Sequence, residues 1–433
     1  MPSAATIYNL TPATRLSRYL SFCSRVDDLI SLDPGSRGIQ HLRVRNDLAA
    51  AGLTFVRSQG VLVLSGFPCR INSTPPTETD GPSGAASLAR GAVRLGKRAC
   101  LVTDDSSEGV LDATWSAAAT SLSLDLLGLF EGVFSFPGGR GPAPPMSPGL
   151  AHSKETACQK IRYLADSFDH TIAIERAGRA IDGSFYTMRA IKMDELVNPD
   201  LDDLMLMGTR CGARAEGVDE SMGSSVATSP VKRRSYPRTS TGIGDGGNES
   251  GMGKVIEKVR DYIPKGNVIA CATSSDHLIA AGVSNWGAWG VLAAAEGAIR
   301  YGIAANDVDG RGLPVDVLSC VERATLFLMG SEENDASKAT TKNVSSSKTT
   351  QHQQHKKGIL TSNSDQPTLP HPPPGSWLLP TDNEEKDLVC AMNASGAADG
   401  ITGERDGSVD GMALEKHLQV LRELRAIVLT EFT

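Results

Sequence analysis

The sequence predicts an α/β fold, a three-layer α/β/α arrangement around a mostly parallel sheet. Short apolar runs recur along the chain, and the stretches between them carry apolar residues at three- and four-residue spacing. Alternation of these two patterns is what a parallel sheet covered on both faces by helices produces. Several of the apolar runs also end at loops rich in Asp and Glu, which places acidic side chains along one edge of the sheet.

Taken in order, residues 27–30 and 39–56 read as helical, the second with Leu42, Leu48, Leu53 and Val56 as core contacts. Residues 60–65 form an apolar run suited to a buried strand, followed by a polar loop that contains Thr77-Glu-Thr-Asp-Gly-Pro82. Pro82 stands near a helix start, and 84–95 continue that helix into a second strand at 99–103. Residues 116–127 read as helix, 129–136 as strand, 154–167 as helix and 171–174 as a strand ending on Glu175. Further apolar runs lie at 267–271 and 278–283, with a helical pattern at 291–301, a short apolar run at 388–392 and a closing amphipathic helix at 412–428.

The expected organisation is one main α/β domain over 27–330, with inserts at about 137–148 and 211–241, and a return to the same domain over 376–433. Residues 331–375 between them have the Ser, Thr, Lys, Gln and Pro content of a disordered linker, and His352 and His355 inside it read as solvent-exposed. Residues 1–26 hold Arg15, Arg18 and Arg25 and no acid. They fit an organellar transit peptide or an ordinary disordered or helical N-terminus, and so a mitochondrial or a cytoplasmic location.

Composition narrows the function classes. A net charge of −7 argues against a protein that coats nucleic acid, and no run of about 18 apolar residues exists to span a membrane. The eight cysteines contain no C-x-x-C pair, which suits reduced, mostly buried thiols and gives no zinc site. Trp286 and Trp289 read as core, and His277 and His417 carry no assigned role.

The chemistry concentrates at the glycine-dense stretch from Gly242 to Gly253, where Asp245, Asn248 and Glu249 offer hard oxygen ligands of the kind Mg²⁺, Mn²⁺ or Ca²⁺ prefers. A helix pattern at 254–262 follows, so the loop is expected over a helix N-terminus, an end that favours anions. Gly242, Gly244 and Gly247 fit G-x-G-x-x-G, but residues 232–241 are basic and Ser/Thr-rich, so no apolar strand is expected to feed the turn as a dinucleotide site requires. A Walker loop is absent too, because Val255 stands where its Ser or Thr would be. Glu78 and Asp80, Glu175, and Asp245 with Glu249 are expected to converge on the strand-end edge of the sheet. Carboxylates brought together there repel unless a cation neutralises them, so a divalent metal is the economical solution. Arg176 and Arg179, beside Glu175, are suited to clamp an anionic substrate. The alternative is that they pair with Glu175 or Asp182 on the surface.

Thr77-Glu-Thr-Asp-Gly-Pro82, Ala173-Ile-Glu-Arg-Ala-Gly-Arg-Ala180 with Asp182-Gly183, the Gly242 to Gly253 stretch, Val268-Ile-Ala-Cys271 and Ala281-Gly-Val-Ser-Asn-Trp-Gly287 together resemble the C-terminal domain family of the D-glutamate cyclases. The likeness runs from about residue 39 to 301 and resumes from about 388. The resemblance implies a hydro-lyase: cyclising dehydration of D-glutamate, a small anionic substrate, to 5-oxo-D-proline. With it go Glu78, Asp80, Asp245 and Glu249 around a metal, Glu175 as ligand or general base, Arg176 or Arg179 on the α-carboxylate, and Asn248 and Asn285 as substrate contacts. The full-length mitochondrial enzyme of that family joins this domain to a separate hydro-lyase-like one that these 433 residues do not show. Two other readings therefore stay open: a divalent-metal-dependent phosphatase acting on a small metabolite, and a non-catalytic ligand-binding domain.

Overall fold

A computed structural model describes residues 10–139, 148–210, 238–303 and 376–432. Six strands, β1 (Gly60–Gly66), β2 (Arg98–Asp104), β3 (Phe130–Phe136), β4 (His170–Arg176), β5 (Thr239–Gly244) and β6 (His277–Ala280), form one sheet in the order β3-β2-β1-β4-β5-β6. Every pairing is parallel, so the sheet is fully parallel where a mostly parallel one was expected. The helices of seven residues or more are α1 (Pro12–Ile30), α2 (Asp47–Arg57), α3 (Pro82–Arg94), α4 (Glu108–Ala119), α5 (Pro148–Ser167), α6 (Asp203–Arg210), α7 (Ile256–Tyr262), α8 (Ser284–Arg300), α9 (Asp382–Ala394) and α10 (Leu414–Phe432).

Alternate side chains of each strand enter opposite layers. Val61, Val63, Leu101, Ile172, Ile174, Ile243 and Ile279 join the larger core with α1 to α4 and α8 to α10. Leu62, Leu64, Cys100, Val102 and Ala173 face the other way, onto Ile161, Leu164 and Phe168 and onto Leu204 and Met205. The expected three layers are therefore present. Helix α8 is buried along its entire length. Its Gly and Ala content lets neighbours come close: an added Cβ at Gly290 would meet Ile30, and one at Gly297 would meet Phe22. Trp286 and Trp289 lie in this core, as expected.

Several elements differ from the sequence reading for local reasons. The boundary at residue 26 falls inside α1, whose Tyr19, Phe22, Cys23, Val26 and Ile30 are buried. Residues 39–56 are not one helix, because Asn46 takes a left-handed φ of +66° between the 3-10 turn Ile39–Leu42 and α2. The run at 267–271 is a single helical turn, Gly266–Ile269, and α8 starts at Ser284, well before the expected 291. Residues 388–392 lie within α9, which opens on a capping box between Thr381 and Glu384. A strand does feed the glycine turn: β5 begins Thr239-Ser240-Thr241 and is buried from Ser240 onward. Its polarity hid it from the pattern, but each side chain is satisfied. Thr239 and Thr241 hydroxyls bond the two ring nitrogens of buried His170, and the Ser240 hydroxyl bonds Asp276. Residues 140–147 and 211–237 of the two inserts, the 331–375 linker, His352 and His355 lie outside the described residues, and residues 239–241, expected in the second insert, begin β5.

The segment 376–432 is fastened to α8 by buried polar groups. Glu296 pairs with Arg300 at 2.8 Å, and its other oxygen accepts from Ser376 Oγ, Trp377 N and Leu378 N. Trp286 Nε1 donates to His417 Nδ1, and His417 Nε2 lies 3.3 Å from Glu385, so this histidine has a structural place that its isolation in sequence concealed. Replacing Glu296 by Ala removes one partner of Arg300 and leaves the Trp377 and Leu378 amides without their acceptor, and is expected to destabilise the protein by about 2–4 kcal/mol in denaturant unfolding. Glu296→Gln, which keeps an acceptor, is expected to cost less.

Candidate metal centre and its cavity

In the strand order β3-β2-β1-β4-β5-β6 the chain leaves β1 and β4 toward opposite edges of the sheet, which opens a crevice beyond their carboxyl ends. Loops from β1, β4 and β5 deliver the expected acids to that crevice. One carboxylate oxygen from each of Asp80, Glu175 and Asp245 lies within 4.8 Å of the others, and all three residues are buried. Metal–oxygen distances of about 2.0–2.6 Å put opposite ligands about 4–5 Å apart, so the spacing fits a single divalent ion. The donor set is all hard oxygen, which suits Mg²⁺, Mn²⁺ or Ca²⁺.

Local structure fixes each acid. Asp80 accepts from Ser284 N at 2.8 Å and Asn285 N at 2.9 Å, the first two amides of α8, so this buried helix aims its positive end at the cluster. Glu175 occupies the end of β4 with φ at +38°, an unfavourable backbone for a residue with a Cβ, and accepts from Ser284 Oγ at 2.5 Å. Asp245 is bonded by Arg37, whose second nitrogen takes Asp410. Glu249 closes the glycine turn on itself, accepting from Gly246 N and Gly247 N at 2.7 Å each. Gly247 takes φ +94° there.

A cavity with about 110 Å³ of water-accessible space opens onto this cluster, room for several waters or a small metabolite. Its wall includes Glu78, Glu175, Asp245, Asn248 and Asp410, the cations Arg37 and Arg189, and apolar Phe67, Met188, Ile191 and Ile401. Burial first, and then the Asp245 charge, pushes the Asp80 carboxyl up to about 8, Asp410 to about 9 and Glu249 to about 7. Glu78 and Glu175 are raised as well, by burial first and then by Asp80 and Asp245 respectively.

The sequence-derived site residues separate into two sets. Asp80, Glu175 and Asp245 meet, with Glu78 and Asn248 on the same cavity. Glu249 is engaged by the backbone of its own turn and stands outside the triad. Asn285 is fully buried under the loop, its Oδ1 accepting from Gly81 N at 3.0 Å and Gly84 N at 2.8 Å, where it braces the start of α3. Arg176 forms a buried ion pair with Asp104 and also donates to Asn198 O, while Arg179 turns to Pro199 O. Neither lines the cavity. They do not pair with Glu175 or Asp182 either. The helix expected just after the glycine loop is shorter, Ile256–Tyr262 preceded by a 3-10 turn, and the helix end that meets the acids is that of α8. Arg37, Arg189 and Asp410 were not singled out by sequence. The only trace Asp410 leaves is its Asp-Gly turn, and its φ is +51°.

Gly81 tests this geometry. Its φ is +101°, and an added Cβ would sit 2.6 Å from Glu175 Cβ. Gly81→Ala is expected to displace Asp80 and Glu175 together, weakening divalent-ion binding at least about tenfold by calorimetry and lowering stability by about 2 kcal/mol in denaturant unfolding.

A protein family described as D-glutamate cyclase-like, C-terminal, matches residues 26–220 and 231–425. The mitochondrial D-glutamate cyclase of Homo sapiens is 34% identical over 269 residues, a match that takes in 62% of this chain and 38% of that protein. The chain thus spans well under half the length of that relative. The match takes in the triad and the Asp410 loop alike, and the chain belongs to the D-glutamate cyclase-like C-terminal domain family.

Proposed function

We propose that this cavity carries out the cyclising dehydration of D-glutamate to 5-oxo-D-proline with the help of Mg²⁺ or Mn²⁺. The observation that supports it most is the buried Asp80, Glu175 and Asp245 triad at the floor of a metabolite-sized cavity that also presents cations. In the reaction the substrate ammonium first gives one proton to a neighbouring carboxylate, the freed amine nitrogen forms a bond to the γ-carboxyl carbon, and the C–O bond to one γ-oxygen breaks; that oxygen leaves as water with a second proton from the nitrogen and one from an acid. A carboxylate is a poor electrophile, and a bound divalent cation supplies the Lewis acidity that the γ-carboxyl needs. Asp80, Glu175 and Asp245 would hold it. Arg189, on the cavity wall, takes the role first expected of Arg176 and Arg179, orienting a substrate carboxylate, while Arg37 holds Asp245 and Asp410 together. Glu78, on the wall but outside the triad, is the carboxyl that gives the leaving oxygen its proton. Glu249 keeps the turn closed beneath Asp245.

The phosphatase reading rests on the acidic cluster, which serves it as well as it serves the cyclase, together with free amides at a helix N-terminus or in the glycine loop. Those amides are spent on Asp80 and Glu249, which leaves a phosphate without the cradle it needs. A mitochondrial setting is part of the proposal, supported by the relative's location; residues 12–26 themselves belong to α1 and its buried face. Among the described residues no helix is long and apolar enough to cross a membrane.

Purified protein given D-glutamate with Mg²⁺ or Mn²⁺ is expected to yield 5-oxo-D-proline by chiral chromatography, and to release no phosphate from a generic phosphate ester. Asp245→Ala is expected to lower turnover at least about 100-fold and to abolish ion binding. Phosphate release without oxoproline, or an Asp245→Ala protein that keeps both properties, refutes the proposal. Ligand binding with no turnover of either compound favours the non-catalytic domain.

Asp80, the triad carboxyl pushed up to about 8, carries a proton near neutral pH, and an arriving cation displaces it. Titrating metal-stripped protein with Mn²⁺ at pH 7 in buffers of different ionisation heat is therefore expected to show net proton release. Affinity is expected to fall as pH is lowered from 8 toward 5.

A further inference from the structure

Two acceptors on the cavity wall have no donor. Asn248 Oδ1 and Asp410 Oδ2 are buried and lack a hydrogen-bond partner, although both residues line the cavity. Asn248 is only 1% exposed, and the Asp410 side chain only 4%.

Neither atom is free by accident of rotation. Asn248 Nδ2 donates to Tyr186 O at 2.7 Å. A main-chain carbonyl can only accept, so the amide nitrogen must be on that side and the oxygen on the other. Asp410 has its Oδ1 taken by Arg37, which leaves Oδ2. Its turn is held by buried Asp399, which accepts from Ile401 N, Thr402 N and Gly411 N at 2.7–2.8 Å. Two glycine loops, one after β5 and one ahead of α10, thus bring an orphan acceptor each to one small cavity.

We infer that Asn248 Oδ1 and Asp410 Oδ2 receive the primary ammonium group of an α-amino acid, and that this pair makes the cavity select amino acids over acids of the same length that lack the amine. The inference rests on the amino-acid reading proposed above and narrows it to two residues. A buried acceptor left unmatched is costly, so the ligand has to supply donors. A carboxylate or a phosphate dianion supplies none. An ammonium supplies three from one compact centre, and its positive charge suits a wall crowded with carboxyl groups. With the nitrogen held there and a carboxylate on Arg189, both ends of the substrate are fixed, and loss of one ammonium proton to a neighbouring carboxylate then frees the lone pair that closes the ring.

Calorimetry with saturating Mn²⁺ tests the pair, comparing D-glutamate with glutarate, which has both carboxylates and no amine. Wild type is expected to bind D-glutamate more tightly. Asp410→Asn keeps an oxygen for Arg37 but turns a second donor toward the ammonium, and Asn248→Ala removes the amide acceptor. Each change is expected to weaken D-glutamate binding about tenfold or more and glutarate binding less than about twofold, with Mn²⁺ affinity unchanged. Variants that keep the wild-type preference, that lose both acids equally, or that lose Mn²⁺ instead overturn the pair. Should wild type ignore D-glutamate, a panel of small amino acids separates the two ideas. Binding of another amino acid that both variants weaken upholds the pair and removes the cyclase reading, and no binding of any amine overturns the pair as well.

Discussion

Crowding of like charge in a buried crevice is the constraint to which the rest of the structure answers. Glu78, Asp80, Glu175, Asp245, Glu249 and Asp410 gather at one end of the sheet, where low polarisability magnifies their repulsion. Each neighbouring element supplies some compensation. The first amides of α8 go to Asp80, its Ser284 hydroxyl to Glu175, the amides of the glycine turn to Glu249, and Arg37 to Asp245 and Asp410. What remains is protonation of several of the acids or a bound cation, and the hard-oxygen spacing of three of them answers to the second.

The sheet explains why such a cluster is possible at all. Parallel strands end at one edge, so a loop from β1, one from β4 and one from β5 meet without any long excursion. The burial of α8 is the other half of the arrangement. Its Gly and Ala residues let it lie flat against α2, α3 and the sheet, and that closeness carries its N-terminus into contact with Asp80. Strand order of this kind hosts many chemistries, so the order positions the site and the side chains decide what happens there.

Most of the frame was legible in the sequence because buried parallel strands announce themselves as unbroken apolar runs, as at Val61 to Leu64 and Ile172 to Ile174. The strand at Thr239 was not, since its hydroxyls pair with His170 and Asp276 in three dimensions and look like a loop in one. Glu175 was legible at the end of a predicted strand, Asp80 in the loop that follows one, and Asp245 in a glycine-dense loop ahead of a predicted helix. Arg37 and Asp410 were not, because nothing local marks them and only the packed chain brings them together. Arg176 and Arg179 misled for the converse reason. Beside Glu175 in sequence, they leave a strand end at angles that aim them at Asp104 and Pro199.

The bridge that Arg37 makes to Asp410 joins residues 373 positions apart. During synthesis the acidic turns after β1, β4 and β5 emerge one by one, while the partner that holds Arg37 from the other side arrives almost last. Closure entropy grows only slowly with loop length, about 0.6 kcal/mol per doubling, so that separation is no obstacle to the bridge once the C-terminal segment packs into the core. A chain truncated ahead of Asp410 would therefore leave Arg37 with Asp245 alone and the crevice short of one wall, so the C-terminal segment is part of the site as well as of the core.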